Sequence, residues 1–301
     1  MKNFAITGVA GYIAPRHLQA IKDTGNKLIA AVDPHDSVGI LDRYFPETSF
    51  FTEFERFDRF LDMLRRGKPE EHLNYLTICA PNHLHDAHIR LALRLGADAI
   101  CEKPLVLNPW NLDALEELER ESNSRVWTIL QLRVHPALQE LKQKLSNTKI
   151  EKKYKVKLNY ITSRGLWYHY SWKGLIEKSG GISTNIGIHF FDMLIWLFGD
   201  VETSTLLQKE NDKMRGEIIL KNADVEWFLS LDKNDLPEET KNAGKPTFRS
   251  ITMNDEAIQF SEGFTDLHTR VYEETLKGNG FGIQDARPSI ELVQKLRNTK
   301  V

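Results

Sequence analysis

"ADAICEKPLV", residues 97–106, is a short apolar run that halts at Glu102, Lys103 and Pro104. Its first half reads as a buried strand, and a proline restricts the residue before it to extended backbone. Lys103 therefore stands at the carboxyl end of a strand. Working outward, "FAIT" (4–7), "KLIAAVD" (27–33), "LNYLTICAP" (73–81) and "RVWTILQ" (125–131) are further strand-length runs. Amphipathic helices are expected between them over about 13–22, 84–95 and 111–122. Strands rich in Val, Ile and Leu, separated by helices and not strictly alternating, form a parallel sheet covered on both faces. The first domain is thus α/β, a doubly wound Rossmann sheet, whose ligands gather at the carboxyl ends of its strands.

Past about residue 150 the pattern changes. "KYKVKLNYIT" (153–162) alternates polar and apolar residues, as a half-exposed antiparallel strand does. "GEIILK" and "VEWFLSL" flank "NAD" (222–224), and "FRSITM" and "AIQFS" flank "NDE" (254–256), so two hairpins are expected. A helix is read from Ser183 to Phe198, with Gly199 as its C-terminal stop. Two more close the chain over about 265–276 and 285–297. The second domain is therefore α+β with an open-faced, mainly antiparallel sheet. A boundary at 131/132 divides the chain into a nucleotide domain, 1–131, and a substrate and oligomerisation domain, 132–301.

The chain has 301 residues, 40 Lys and Arg against 42 Asp and Glu, and that balance removes the electrostatic case for nucleic acid or an anionic membrane. A small-molecule partner is expected. Cys79 and Cys101 end apolar runs and have no metal-motif neighbours, so they read as reduced core residues and no metal is expected. The start, "MKNFAITG", is too short for a signal peptide, and a cytoplasmic protein is expected. An open sheet with one exposed face needs cover, so at least a dimer is expected.

At the nucleotide end, "AITGVAGYIAPRHLQAI" (5–21) sets Gly8 and Gly11 between the first strand and first helix. Backbone N–H groups of such a turn, here Gly8, Ala10, Gly11, Tyr12 and Ile13, can reach a pyrophosphate. Asp33, ending the second strand, suits the adenosine ribose hydroxyls, and its charge repels a 2′-phosphate, favouring NAD over NADP. The spacing also matches T-G-x-x-G-x-x-A, but no tyrosine has the lysine four residues on that short-chain dehydrogenases require. Pro81, Asn82 and His85 of "APNHLH" (80–85), with Glu102 and Gln131, are expected along the same cofactor, while His83 and His88 read as surface residues.

On a helix, Asn185, His189 and Asp192 stand at i, i+4 and i+7 and share a face. A histidine suits a proton step because its ordinary pKa, about 6.5, lies near working pH. "TSRGLWYHYSWKG" (162–174) interleaves Arg164 and Lys173 with Trp167, Tyr168, Tyr170 and Trp172. Cations with aromatic faces suit an anionic sugar, and Arg164, Tyr168, Trp172 and Lys173 are the candidates there. Arg133 of "LQLRVHP" (130–136) suits a second carboxylate, such as that of a 2-keto acid.

"EKP" (102–104), "CAPNHLH" (79–85) and "SGGISTNIGIHFFD" (179–192) together resemble the Gfo/Idh/MocA oxidoreductases over nearly the whole chain. The resemblance implies a lysine near the reacting carbon, here Lys103, and a histidine acid/base from a D-x-G-x-H-x-x-D pattern, here His189. The first aspartate of that pattern is Asn185, which leaves hydrogen bonding to a substrate hydroxyl. "GVAGYIAPRHL", "QLRVHP", "TFRSI" and "FSEGFTDLHTRVY" are further similar to the bacterial UDP-N-acetylglucosaminuronate 3-dehydrogenases of lipopolysaccharide O-antigen synthesis. That likeness implies oxidation of a sugar 3-hydroxyl with NAD, reoxidation by 2-oxoglutarate, and tetramers. Two alternatives stand beside it: a family enzyme for a free sugar, inositol or dihydrodiol, and a non-catalytic NAD-binding regulator.

Overall fold

The computed structural model describes residues 1–149, 151–258 and 266–300. The chain forms two compact units, Met1–Val134 with Phe264–Ala286, and His135–Gly263 with Arg287–Val301.

In the first unit the elements run β1 (Asn3–Thr7), α1 (Ala14–Asp23), β2 (Lys27–Val32), α2 (Ile40–Tyr44), β3 (Ser49–Phe51) and α3 (Phe54–Arg66). They continue as β4 (Tyr75–Ile78), α4 (His85–Arg94), β5 (Asp98–Cys101), α5 (Pro109–Ser122) and β6 (Val126–Thr128). The sheet order is β3-β2-β1-β4-β5-β6 and every pair is parallel. Leu76, Thr77 and Ile78 of β4 and Ala99, Ile100 and Cys101 of β5 are all fully buried, which is why those strands read as near-continuous apolar runs. The order reverses between β1 and β4, and the turns after these two strands form the switch point where such sheets bind ligands.

The second unit contains α6 (Pro136–Asn147), β7 (Tyr154–Thr162), α7 (Leu166–Tyr170), α8 (Ile176–Ser179), α9 (Ile188–Phe198), β8 (Val201–Lys209), β9 (Lys213–Leu220) and β10 (Ala223–Ser230). After α10 (Glu238–Asn242) come β11 (Thr247–Met253) and β12 (Glu256–Ala257). The sheet order is β12-β11-β7-β10-β9-β8, antiparallel except where β10 pairs with β7. Val156, Leu158, Val225, Trp227 and Leu229 are buried on one face, while Lys155, Lys157, Arg215, Glu217 and Glu226 of the other are exposed. Phe191 of α9 packs edge-on against Trp227, ring centroids 5.2 Å apart. Asn254 and Asp255 carry positive φ, 50° and 67°, and make the two-residue turn between β11 and β12. The strand read over 257–261 is seen as far as Ala257; residues 259–261 lie outside the described residues.

Three expectations need correction. The helix read from Ser183 to Phe198 begins with a π turn, Ser183–Gly187, before α9 proper. The wider turn breaks the regular 3.6-residue spacing assumed for Asn185, His189 and Asp192. With α8 this segment, Ile176–Phe198, is long and apolar enough to cross a membrane, but 83% of its most apolar window is buried within the fold.

The second correction concerns the chain's return. Two late helices follow, α11 (Leu267–Leu276) and α12 (Ile283–Asn298). Leu267, Val271 and Tyr272 of α11 join Phe4, Leu18 and Ile21 in the core of the first unit, and the Tyr272 ring stacks on Phe4 at 5.9 Å. Burying Leu267 and Val271 contributes about 1.5–3 kcal/mol each. A single boundary at 131/132 would sever this helix from the core it completes. Its apolar stripe was visible in the sequence, but a stripe does not name the surface it packs on.

His88 also departs from expectation. It is buried on α4, stacked on Phe54 with ring centroids 4.6 Å apart, and its Nδ1 lies 3.0 Å from Thr7 Oγ1. Burial pushes its pKa down to about 3, and burial likewise lowers those of His17 and His85. His88, like His17, is neutral in the folded chain and protonates near 6.5 when it unfolds. Stability is therefore complete above about pH 6.5 and falls as the pH drops toward His88's folded value, by about 1.4 kcal/mol per unit for that residue alone. His88→Gln is expected to flatten this slope between about pH 6 and 4, as measured by urea midpoints across the range.

Candidate active site

Gly8 leaves β1 with φ +77°, and its N–H donates to the Val32 carbonyl at 2.9 Å. A Cβ there would stand 2.6 Å from the Cys79 carbonyl carbon and oxygen and 2.7 Å from Ala80 N. The two switch-point turns approach so closely that only glycine fits. Gly11 N–H donates back to Gly8 O at 3.0 Å, and α1 begins three residues later with no side-chain cap and no acidic residue in its first turn. That leaves the positive end of α1 open to an anion. Asp33 is buried; its Oδ2 accepts from Ala10 N–H at 3.0 Å and its Oδ1 from His35 N–H at 2.9 Å, which fixes the carboxylate beside the turn. Ala10 and Tyr12 are exposed and Ile13 half-buried. The Oε1 of Gln131 is buried without a hydrogen-bond partner, an acceptor suited to an incoming amide N–H. Glycine turn, helix end, carboxylate and orphaned acceptor all fit a dinucleotide.

At the carboxyl ends of β4 and β5, Pro81 leads into a short 3-10 turn, Asn82–Leu84, and Asn82 is buried. Lys103 is half-buried and its peptide bond to Pro104 is cis. Two residues expected at the cofactor face inward instead. His85 is fully buried, with Nδ1 2.7 Å from Pro104 O and Nε2 2.8 Å from Ala80 O, so it spans the β4 and β5 loops. Glu102 is buried with its Oε1 3.0 Å from both His17 Nε2 and His268 Nε2. Neither histidine partner was anticipated, because residues 85 and 166 positions away in sequence carry no local signal. Arg133 is likewise engaged: it donates from Nη1 to Asp285 Oδ1 and from Nη2 to Asp285 O, both at 2.9 Å, and lies over the Phe281 ring.

In the second unit, the π turn carries Asn185, whose Nδ2 donates to Tyr168 Oη at 3.0 Å; both residues are buried. Tyr168, expected at the substrate, thus orients Asn185. His189 is half-buried on the first turn of α9, and Asp192 is buried one turn on. Gly187, between Asn185 and His189, is obligatory: a Cβ would lie 2.7 Å from Leu229 Cδ1 and from the Phe191 ring. Lys173 Nζ lies 5.0 Å from the Trp167 ring and 5.7 Å from that of Trp172. Burial first, then the charge of nearby Arg164, lowers the Lys173 pKa. Arg164 Nε is buried with no hydrogen-bond partner. Two neighbouring cations, one with an orphaned donor, make this corner of the unit receptive to an anion.

A parallel dinucleotide sheet with a lysine beyond β5, and a second unit carrying a histidine on an apolar helix behind an open sheet, define a two-part oxidoreductase architecture. The chain belongs to the Gfo/Idh/MocA oxidoreductase family: residues 2–130 match its NAD-binding Rossmann fold and residues 142–236 its C-terminal alpha/beta domain. It is similar to the WlbA (WbpB) dehydrogenase from Thermus thermophilus, solved with NAD and alpha-ketoglutarate, at 50% identity over 100% of this chain and 96% of that one, with a TM-score of 0.96. The same enzyme in complex with NAD and UDP-GlcNAcA matches at 49% identity, with the same coverage and a TM-score of 0.95. The oxidoreductase YteT of Bacillus subtilis is 28% identical over 197 residues, 65% of this chain and 42% of that protein. The chain spans less than two-thirds of the length of the curated relatives it matches.

Gly8→Ala is expected to cost about 1 kcal/mol or more in stability, because alanine resists positive φ and its methyl meets backbone. It is also expected to abolish the thermal shift given by NAD. Melting curves with and without NAD check both effects, and an unaltered curve with an unaltered shift contradicts the reading of this turn.

Proposed function

We propose that the chain is an NAD-dependent dehydrogenase that oxidises the 3-hydroxyl of UDP-N-acetyl-D-glucosaminuronate to a ketone in lipopolysaccharide O-antigen synthesis, in the cytoplasm, with 2-oxoglutarate as the reoxidant of NADH. The observation that carries the substrate is the near-half identity, across the whole chain, to an enzyme solved separately with NAD and that sugar nucleotide and with NAD and alpha-ketoglutarate. The orphaned Arg164 Nε and the lysine between two tryptophans support an anionic sugar.

Bound NAD would supply the hydride acceptor. His189 takes the hydroxyl proton as the C3–H bond breaks, so the two electrons leave as hydride and the proton goes to imidazole. Lys103 donates a hydrogen bond to the same oxygen as alkoxide charge develops, a stabilisation of about 3–4 kcal/mol when one such donor is lost in comparable sites. Asn185, held by Tyr168, orients a neighbouring hydroxyl, and Arg164 and Lys173 engage the acidic groups of the sugar nucleotide, with Trp172 against an apolar face. Asp33 selects NAD by its charge. Arg133, engaged by Asp285, has no part in this scheme. The exposed face of the second sheet, where Lys155 pairs with Asp224 and Lys157, Arg215, Glu217 and Glu226 stand exposed, is the surface proposed to join subunits in a dimer or tetramer.

The test is to strip bound nucleotide from the purified protein and follow NADH absorbance with UDP-N-acetyl-D-glucosaminuronate, with and without 2-oxoglutarate. Turnover sustained by 2-oxoglutarate is expected. Lys103→Ala and His189→Ala are each expected to slow the hydride step ~100-fold or more, with NAD affinity nearly unchanged. Near-normal turnover in either variant, or turnover with free sugars alone, overturns the assignment.

A further inference from the structure

Glu102, His17, His268, Tyr272 and Thr77 form a buried cluster directly behind Lys103, and the direction of every hydrogen bond in it can be deduced. A carboxylate only accepts. His17 Nε2 and His268 Nε2, each 3.0 Å from Glu102 Oε1, must therefore both carry hydrogen. Burial lowers the pKa of His17, so its ring is neutral and its Nδ1 is an acceptor. Tyr272 must then donate to His17 Nδ1 at 2.8 Å, and Thr77 Oγ1 in turn donates to Tyr272 Oη at 2.8 Å. The remaining Glu102 oxygen, Oε2, accepts from the backbone N–H of Lys103 at 3.2 Å. Burial by itself would raise the Glu102 pKa, but the two imidazole donors outweigh it and hold the carboxyl well below its ordinary range. The loop is held from its other side as well, where the His85 ring meets Pro104 O.

We propose that Glu102 is a positioning residue for Lys103, and that His17 and His268, the first from α1 and the second from the late helix α11, act through that carboxylate to fix the lysine's backbone. The inference rests on the reading that Lys103 bonds the reacting oxygen. Side-chain reach over four methylenes is set at the backbone, so a peptide that rocks about the end of β5 would leave the ammonium poorly aimed in the transition state. Tyr272 and Thr77 fix the tautomer of His17, so the chain of bonds runs one way only. The same His17, Glu102 and His268 atoms lie within 4.8 Å of one another and would also suit a divalent cation. Hydrogen bonding alone accounts for their geometry, and metal content is therefore one arm of the test.

The discriminating pair is His268→Gln and His268→Leu in the full-length protein. Glutamine's Nε2 can replace the lost N–H donor, while leucine fills the space without one. His268→Leu is expected to lower kcat about 10–100-fold, by analogy with the loss of the hydrogen-bond partners that orient metal-ligating side chains, with KM for the sugar nucleotide and the Kd of NAD within about threefold. His268→Gln is expected to recover most of that loss. Glu102→Gln, whose amide would confront the Lys103 N–H with a second donor, is expected to behave like His268→Leu. A parallel fall in stability, NAD affinity and kcat for leucine and glutamine alike would reduce the cluster to a structural role and overturn the proposal. So would one equivalent of bound zinc that disappears in either His268 variant. Lys103→Ala serves as the reference: if it retains turnover, the reading of Lys103 fails, whereas a slow Lys103→Ala beside a normal His268→Leu refutes positioning alone. Should His268→Leu fail to fold, Tyr272→Phe, which removes the donor to His17 and with it the acceptor of Thr77, is expected to lower kcat with KM nearly constant, and no change in kcat there counts against the proposal.

Discussion

A buried ionised carboxylate is among the costliest groups a small core can hold, and leaving one unpaired costs about 3–5 kcal/mol. Glu102 sits at the end of β5 under that constraint, 6% exposed. Its charge is tolerated because donors converge on it from α1, from α11 and from the next peptide of its own loop. Each of these elements is thereby tied to the strand edge at which Lys103 emerges. The apolar contacts of Tyr272 on Phe4 and of Leu267 and Val271 in the same core supply bulk stability, but apolar packing is not directional. The hydrogen-bonded carboxylate supplies the direction.

The second unit solves a related problem differently. There the reactive candidates sit on a helix whose surroundings are almost wholly apolar, with Phe190, Phe191, Met193, Leu194, Leu197 and Phe198 buried. A polar side chain in such a helix needs a local exception, and the π turn at Ser183–Gly187 provides one by widening the helix where Asn185 meets the Tyr168 hydroxyl. Gly187 lets that wide turn press against Leu229 and Phe191. Arg164 and Lys173 lie beside it with their charges partly desolvated, so an anion binding there meets cations that water screens poorly.

Much of this was legible in the sequence, and the remainder divides cleanly by range. β2, β4, β5 and β6 each fall within the apolar runs read from the chain, and β1 starts one residue before its run, because a strand buried on both faces needs no partner to betray it. Gly8 of the switch point and the hairpin at Asn254–Asp255 were equally visible, since positive φ restricts residue choice locally. β3, three residues long and only half-buried, gave too little pattern. α3, with Phe57 and Leu61 buried among charged neighbours, carried a helical spacing that was there to be read. β8 was also missed; only Leu206 along it is buried, so it lacks a sustained alternation. Among the candidate site residues, Lys103, Asn185 and His189 stand out in the sequence through their neighbours, Pro104 and the run from Gly187 to Asp192. The contacts that turn Glu102, His85 and Arg133 inward join distant segments, and no local pattern encodes them.

The return of α11 to the first sheet has a consequence for how the protein is made. A ribosome delivers β1 to β6 early, yet His268 and Tyr272 emerge only after the entire second sheet has been threaded out. Until then Glu102 lacks one of its two imidazole donors and Phe4, Leu18 and Ile21 lack part of their cover. The nascent nucleotide lobe must wait, incompletely closed, until the whole second sheet has been made, and a chain cut just before residue 267 would leave both its core and its buried carboxylate short of partners.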